Sequence, residues 1–180
     1  FCEENMFSKR EVVYGSVFAG VYAALVIVLA PISFLPIQVR IADALIPLSI
    51  LYGWPAIIGV TVGCSVANFI AGQVFFGGST IIDVVGGSLA NFCAAYVGWL
   101  IARNKSKSVV FLATLIQATV ISLIVGTYLW YIFGSPAYYS IFMIVLPGIT
   151  AFWLSVLVGS LISMTFLGYL LYIALSKTKL

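Results

Sequence analysis

Apolar and polar positions alternate along this chain on a long scale: extended apolar runs are separated by short polar breaks. Runs of about 20 apolar residues are long enough to cross a bilayer core of roughly 30 Å as helices, and six spans are predicted. The first covers roughly Val12–Ala30 and stops at Pro31, ahead of a loop to about Ile37. The second, Gln38–Tyr52, is short and carries Arg40, Asp43 and Pro47. It turns through Gly53-Trp54-Pro55 into a third, Ala56–Ala71. The glycines of Gly72–Ser79 mark a loop. A fourth run, Thr80–Ala102, ends at the polar break Arg103–Ser108, and a fifth, Val109–Phe133, at Gly134-Ser135-Pro136. Pro147-Gly148 divides the remainder into a shallow re-entrant or interfacial stretch, Tyr138–Leu146, and a sixth span, Ile149–Leu175. Five spans remain if the second run is only re-entrant.

Composition turns this pattern into a class. Hydrophobic residues make up 63% of the chain and charged ones 7%, too little polar surface to cover a soluble domain of this size. The expected fold is an all-α integral membrane protein, a six-helix bundle forming one transmembrane domain over residues 1–180. Lys9, Arg10, Arg103, Lys105, Lys107, Lys177 and Lys179 all fall at one side of such a bundle; of the eight basic residues only Arg40 does not. The positive-inside rule makes that side cytoplasmic, with both termini. The Gly72–Ser79 loop is then external. The polar stretch Phe1–Glu11 does not resemble a cleavable signal, and the net charge of +3 resides in loop ends, so nothing points to nucleic acid.

Small residues recur at steps of four. Gly59, Gly63, Ala67 and Ala71 line the third span, and Gly86, Ala90, Ala94, Gly98 and Ala102 the fourth. Helices in lipid associate where small residues let backbones approach, so these two antiparallel spans are expected to pack on their matching stripes. The first span carries two small faces, Gly15/Ala19/Ala23 and Ser16/Gly20/Ala24. One neighbour needs only one of them, which leaves a face for an external partner.

Candidate chemistry lies in the charges inside apolar runs, which are costly there and mark functional sites. Arg40 and Asp43 are three apart, on one helical face, and can pair. Pro47 lacks the N–H that would bond the Asp43 carbonyl in an α-helix. Asp83 lies near the outer end of the fourth span, about 12 Å along the axis from Asn91 at ~1.5 Å per residue. Asn68 lies near the outer end of the third. Asn91 and Gln117 read equally well as glue between helices. Two carboxylates, a guanidinium and amides suit a polar, planar, hydrogen-bonding solute among apolar and aromatic walls. Phe34, Phe69, Phe75, Phe76, Tyr138 and Tyr139 are candidate aromatics on that side. Cys2, Cys64 and Cys93 follow no metal spacing and there is no His, so a Cys/His zinc site and a hydrolytic triad are not expected. Gly77-Gly78-Ser79-Thr80 has no lysine, so the chain carries no phosphate loop for ATP. Neither an enzyme nor a cofactor is predicted.

Three ordered motifs carry a resemblance: Val39-Arg40-Ile41-Ala42-Asp43-Ala44-Leu45, Gly59-Val60-Thr61-Val62-Gly63-Cys64-Ser65-Val66-Ala67-Asn68, and Asp83-Val84-Val85-Gly86-Gly87-Ser88-Leu89-Ala90. They resemble the QueT family, membrane S components of energy-coupling factor (ECF) transporters for queuosine precursors. One departure is Asp43, which stands where many members carry Glu. The resemblance implies a six-helix substrate-binding subunit of the cell membrane with an outward-facing pocket. It implies as partners a transmembrane coupling subunit and two cytosolic ATPases. It also implies docking of the coupling subunit through an Ala-x-x-x-Ala motif, which Ala19-Gly20-Val21-Tyr22-Ala23 matches. The expected solute is a 7-deazaguanine such as preQ1 or queuine, with Arg40, Asp43, Asn68, Asp83 and Asn91 binding it. Alternatives are an S component for a riboflavin- or folate-type vitamin, a self-standing ion-coupled carrier in which Asp43 and Asp83 exchange protons, and a non-transporting interaction protein.

Overall fold

The computed structural model describes residues 8–30, 39–76, 81–141 and 144–178. In chain order it contains α1 (Lys9–Val28), a 3₁₀ helix (Ile41–Leu48) continuing into α2 (Ser49–Tyr52), α3 (Trp54–Phe76), α4 (Ile81–Ala102) and α5 (Lys107–Ile132). A hairpin of β1 (Tyr138–Ile141) and β2 (Ile144–Pro147) follows. The last pass is α6 (Gly148–Ser160), a π-helical segment (Leu161–Gly168) and α7 (Tyr169–Ser176). Five passes are long and apolar enough to cross a membrane, and Ile41–Tyr52 is a shorter apolar helix. The six-span expectation therefore stands as five long spans and one short pass. Pro31, Phe34, the rest of the first loop, Gly77–Thr80 and Lys179 lie outside the described residues, as do the side chains of Phe75 and Phe76.

Local chemistry sets the boundaries. α1 starts before the apolar run because Ser8 and Glu11 form a capping box: the Glu11 amide donates to Ser8 Oγ at 3.3 Å and the Ser8 amide to Glu11 Oε2 at 2.7 Å. Gly53, at φ 65°, makes the turn before α3, and Pro55 sits in the first helical turn, where no N–H is needed. α3 continues through Phe76, past the Gly72 at which a loop was expected. α5 ends on Gly134 and Ser135 in left-handed conformations, the Ser135 amide closing onto the Trp130 carbonyl at 2.9 Å. The expected re-entrant stretch is an antiparallel hairpin, with Tyr138 opposite Pro147 and Ile141 opposite Ile144.

The short second pass is 3₁₀ for a reason legible at Pro47, whose ring clashes with the carbonyl four residues back in an α-helix. A 3₁₀ helix bonds each N–H to the carbonyl three residues back. The acceptor left free by Pro47 is thus that of Ala44, not that of Asp43 as the α-helical reading gives. Gly168, closing the π-helical segment, packs on that spot: a Cβ there would lie 2.9 Å from the Ala44 oxygen and 2.8 Å from the Pro47 ring. An overwound helix is set against an underwound one, glycine to carbonyl.

Packing follows the logic of a membrane bundle, with small residues inward and large apolar ones outward. Ala67, Ala90, Ala94, Ala95 and Ala118 are buried, while Val17, Val62, Val66, Leu89 and Leu123 are exposed. The two small stripes do not pair with each other as expected. Gly59 and Gly63 receive α1: a Cβ at Gly59 would lie 2.6 Å from the Gly15 oxygen, and one at Gly63 2.7 Å from the Ala19 oxygen. The α4 glycines instead make room for side chains, Gly86 for the Tyr128 ring and Gly98 for the Gln117 amide, both from α5. Polar groups occupy the α3–α4 interface, and these define the site.

Successive passes alternate in direction. Gly15 meets Pro55 and Ala19 meets Gly63, so α1 and α3 run parallel, whereas Asn68 meets Asp83 and Asn91 meets Val60, so α3 and α4 run antiparallel. Lys9, Arg10, Arg103, Lys105, Lys107 and Lys177 consequently share one end of the bundle.

Candidate functional site

Toward the opposite end, five passes bring their polar side chains together. Arg40 caps the start of the 3₁₀ helix and Asp43 lies in its first turn, linked through the backbone by the Asp43 amide donating to the Arg40 carbonyl at 3.0 Å. Both side chains are buried, Asp43 with 5% and Arg40 with 8% of its surface exposed. With about three residues per turn, positions three apart on such a helix eclipse, which keeps both on the inward side. From α1, the wholly buried Tyr22 donates its phenol to Asp43 Oδ1 at 2.5 Å. That is the short range of an O–H donor on an ionised acceptor. From α3, Cys64 lies beside the guanidinium, 3.6 Å from Arg40 Nη1 to Sγ.

One turn along α3, Asn68 is fully buried and its Nδ2 donates to the Asp83 main-chain carbonyl at 2.9 Å. Its Oδ1 has no hydrogen-bond partner among the described residues. Asp83, in the first turn of α4, is half-buried, and Tyr128 of α5 donates to its Oδ1 at 3.1 Å. Gly87 holds the centre open: a Cβ there would lie 2.5 Å from Asn68 Nδ2, 3.4 Å from Cys64 Sγ and 3.5 Å from the Tyr128 hydroxyl. Arg40 is within electrostatic reach of Asp43, Tyr22, Cys64 and Tyr128. One guanidinium and two carboxylates give the cluster a formal charge of minus one, so it suits a solute that is cationic or rich in N–H donors.

Of the residues expected to bind, Arg40, Asp43, Asn68 and Asp83 converge. Asn91 does not join them. Buried one turn beyond Gly87, it donates to the Val60 carbonyl at 3.3 Å and ties α4 to α3. Gln117 has a similar duty toward Ser49, at 3.5 Å. Phe69 is 55% exposed on the outer face of the bundle. Tyr138 is exposed on the hairpin and Tyr139 stacks on Phe152, so none of these three walls the cluster. Tyr22, Tyr128, Cys64 and Gly87 complete the cluster and were not singled out from sequence. A signal for Tyr22 existed: a buried phenol in mid-span requires an acceptor, and the nearest acid inside an apolar run is Asp43, Glu11 lying at the polar start of α1.

The residues of the expected docking motif lie at the edge of α1. Ala19 and Ala23 are half-buried, Ala19 with its backbone against Gly63, while Ser16, Gly20 and Ala24 are exposed and Gly20 has open space around its Cα. The free small face is therefore the second of the two.

A bundle of long apolar helices with a largely buried charged cluster between them is the anatomy of a multi-pass membrane transport protein. A family model described as QueT transporter matches residues 12–177, and the chain belongs to that family. No curated protein and no solved structure matches it significantly.

Proposed function

We propose that this protein is the substrate-binding S component of an ECF importer and that its solute is a 7-deazaguanine queuosine precursor such as preQ1 or queuine. The observation that carries the reading is the convergence of Arg40, Asp43, Asn68 and Asp83 at the end of the bundle away from the basic clusters. A guanine-like edge presents a carbonyl beside two N–H donors. A guanidinium next to a carboxylate matches that sequence of acceptor and donors, and Arg40 and Asp43 are adjacent on one turn. Asp83 is the more accessible carboxylate and takes the aminomethyl ammonium. Asn68 contributes its amide oxygen. The negative formal charge disfavours an anionic, folate-type solute.

The chain has no phosphate loop, and energy comes from two cytosolic ATPases through a coupling subunit that docks on the exposed α1 face of Ser16, Gly20 and Ala24, beside Ala19 and Ala23. Calorimetric titration of the purified protein with preQ1 and queuine, together with mass spectrometry of copurifying small molecules, tests the solute. Uptake reconstituted with and without the coupling subunit and ATPases tests the mechanism. Failure of both compounds to bind removes the solute assignment. Uptake that needs no ATP but collapses with the proton gradient replaces the importer with an ion-coupled carrier.

A further inference from the structure

Each carboxylate of the cluster is held by a phenol from a different helix. Tyr22 reaches Asp43 from α1 at 2.5 Å, and Tyr128 reaches Asp83 from α5 at 3.1 Å, in both cases on Oδ1. The two tyrosines are themselves seated by glycines. The Gly63 position lies against the Tyr22 Cβ, 2.9 Å from where its own Cβ would be, and Gly86 stands in the same relation to the Tyr128 ring, again at 2.9 Å. The Tyr128 ring, held against Gly86, has little rotamer freedom, and the Tyr22 ring is confined by its complete burial, so each hydroxyl is a fixed point for the carboxylate it bonds. A carboxylate free to rotate about its last torsion samples a broad range. One fixed by a donor on Oδ1 presents Oδ2 in a constant direction.

We propose that Tyr22 and Tyr128 are positioning residues that orient the two carboxylates, and that Tyr128 thereby sets the preference of the site for an ammonium-bearing solute. This rests on the solute assignment above, with Asp83 facing the aminomethyl group. Removing the Tyr128 hydroxyl leaves the ring in its slot and takes one fixed donor from the Asp83 carboxylate, which weakens the contact to the ammonium more than contacts to the ring edge. Removing the Tyr22 hydroxyl acts through Asp43 on the edge that all members of the solute class share.

The test measures two matched solutes on the same preparation: 7-aminomethyl-7-deazaguanine and its 7-cyano analogue, which lacks the ammonium. Their affinity ratio is independent of how much protein is folded. In Tyr128→Phe the preference for the aminomethyl compound is expected to fall about tenfold, the scale of one weakened charge-assisted hydrogen bond. In an Asp83→Asn background the same substitution is expected to change the ratio less than twofold, because the group it orients is gone. Tyr22→Phe is expected to weaken both solutes by a similar factor, and to add little in an Asp43→Asn background. Equal weakening of both solutes by Tyr128→Phe, or effects that simply add to those of the Asn variants, overturns the positioning role while leaving the solute assignment intact. Wild-type protein that binds neither compound overturns the solute assignment and this inference with it.

Discussion

Asp43 and Asp83 differ in burial, and that difference separates their expected mutant behaviour. Asp43 is enclosed with Arg40 and Tyr22, so Asp43→Asn leaves a buried guanidinium beside a neutral amide and removes an acceptor for the solute's N–H groups. Losing a charge-assisted hydrogen bond costs on the order of 1.5–3 kcal/mol, and leaving a donor unpaired adds roughly 1–3 more. Calorimetric titration is expected to show affinity for both preQ1 and queuine at least tenfold weaker, at ~1.4 kcal/mol per tenfold. Asp83→Asn is expected to weaken the aminomethyl compound most. Gly87→Ala places a methyl 2.5 Å from Asn68 Nδ2. Such overpacking costs about 1–3 kcal/mol, and a lower melting temperature in detergent checks it. The charges in this cluster were legible from sequence because an ionisable group inside an apolar run stands out. The phenols were not, since a tyrosine on an apolar helix carries no mark of which neighbour its hydroxyl meets. Asn91 was misplaced because an amide on a helix carries no mark of which neighbour it faces.

At the level of elements, apolar length and punctuation gave five passes almost to the residue. The exceptions are instructive. The capping box at Ser8 lies in a polar stretch that hydropathy ignores, and the hairpin at Tyr138–Pro147 is too short and too apolar to separate from a membrane-surface segment by period. The second run coincides with the short apolar helix Ile41–Tyr52, but its winding followed from Pro47 and could be read only by asking which helix avoids the ring clash. Its fit to Gly168 is exacting. Gly168→Ala sets a methyl against a backbone carbonyl and a proline ring, neither of which yields, and is expected to cost about 1–3 kcal/mol. Thermal unfolding monitored by intrinsic fluorescence checks it. Gly20→Ala, in open space on α1, is the matched control and is expected to leave stability within about 0.5 kcal/mol.

For the whole molecule, the alternating passes gather the basic residues at one end and the polar cluster toward the other. With the basic end cytoplasmic, Ser106→Cys is expected to be protected from a membrane-impermeant thiol reagent in intact cells, and Ser140→Cys on the hairpin to react. Labelling of position 106 from outside inverts the topology. The stripe pattern announced close helix contacts but not their pairing. Gly59 and Gly63 serve α1 instead of α4 because Cys64, Asn68 and Asn91 hold the α3–α4 interface with side chains. The face of α1 left over, centred on Gly20, has open space around it among the described residues. Gly20→Trp is expected to leave solute affinity within about twofold and to abolish copurification with the coupling subunit. Retention of the complex in this variant removes α1 as the docking helix.

Tyr22 is rooted in α1 between Ala19 and Ala23, and its hydroxyl ends on Asp43. Thermodynamic reciprocity then applies: whatever factor docking on α1 imposes on solute affinity, the solute must impose on docking. Under the proposed docking on α1, the Tyr22 phenol is one path for that exchange. Tyr22→Phe is therefore expected to draw both factors toward one together. Two titrations check it, solute into free and coupled protein, and coupling subunit into empty and loaded protein. Equality of the two factors in the wild type, and their joint decline in the variant, is the signature of a single hydroxyl acting as the shared coordinate of two equilibria.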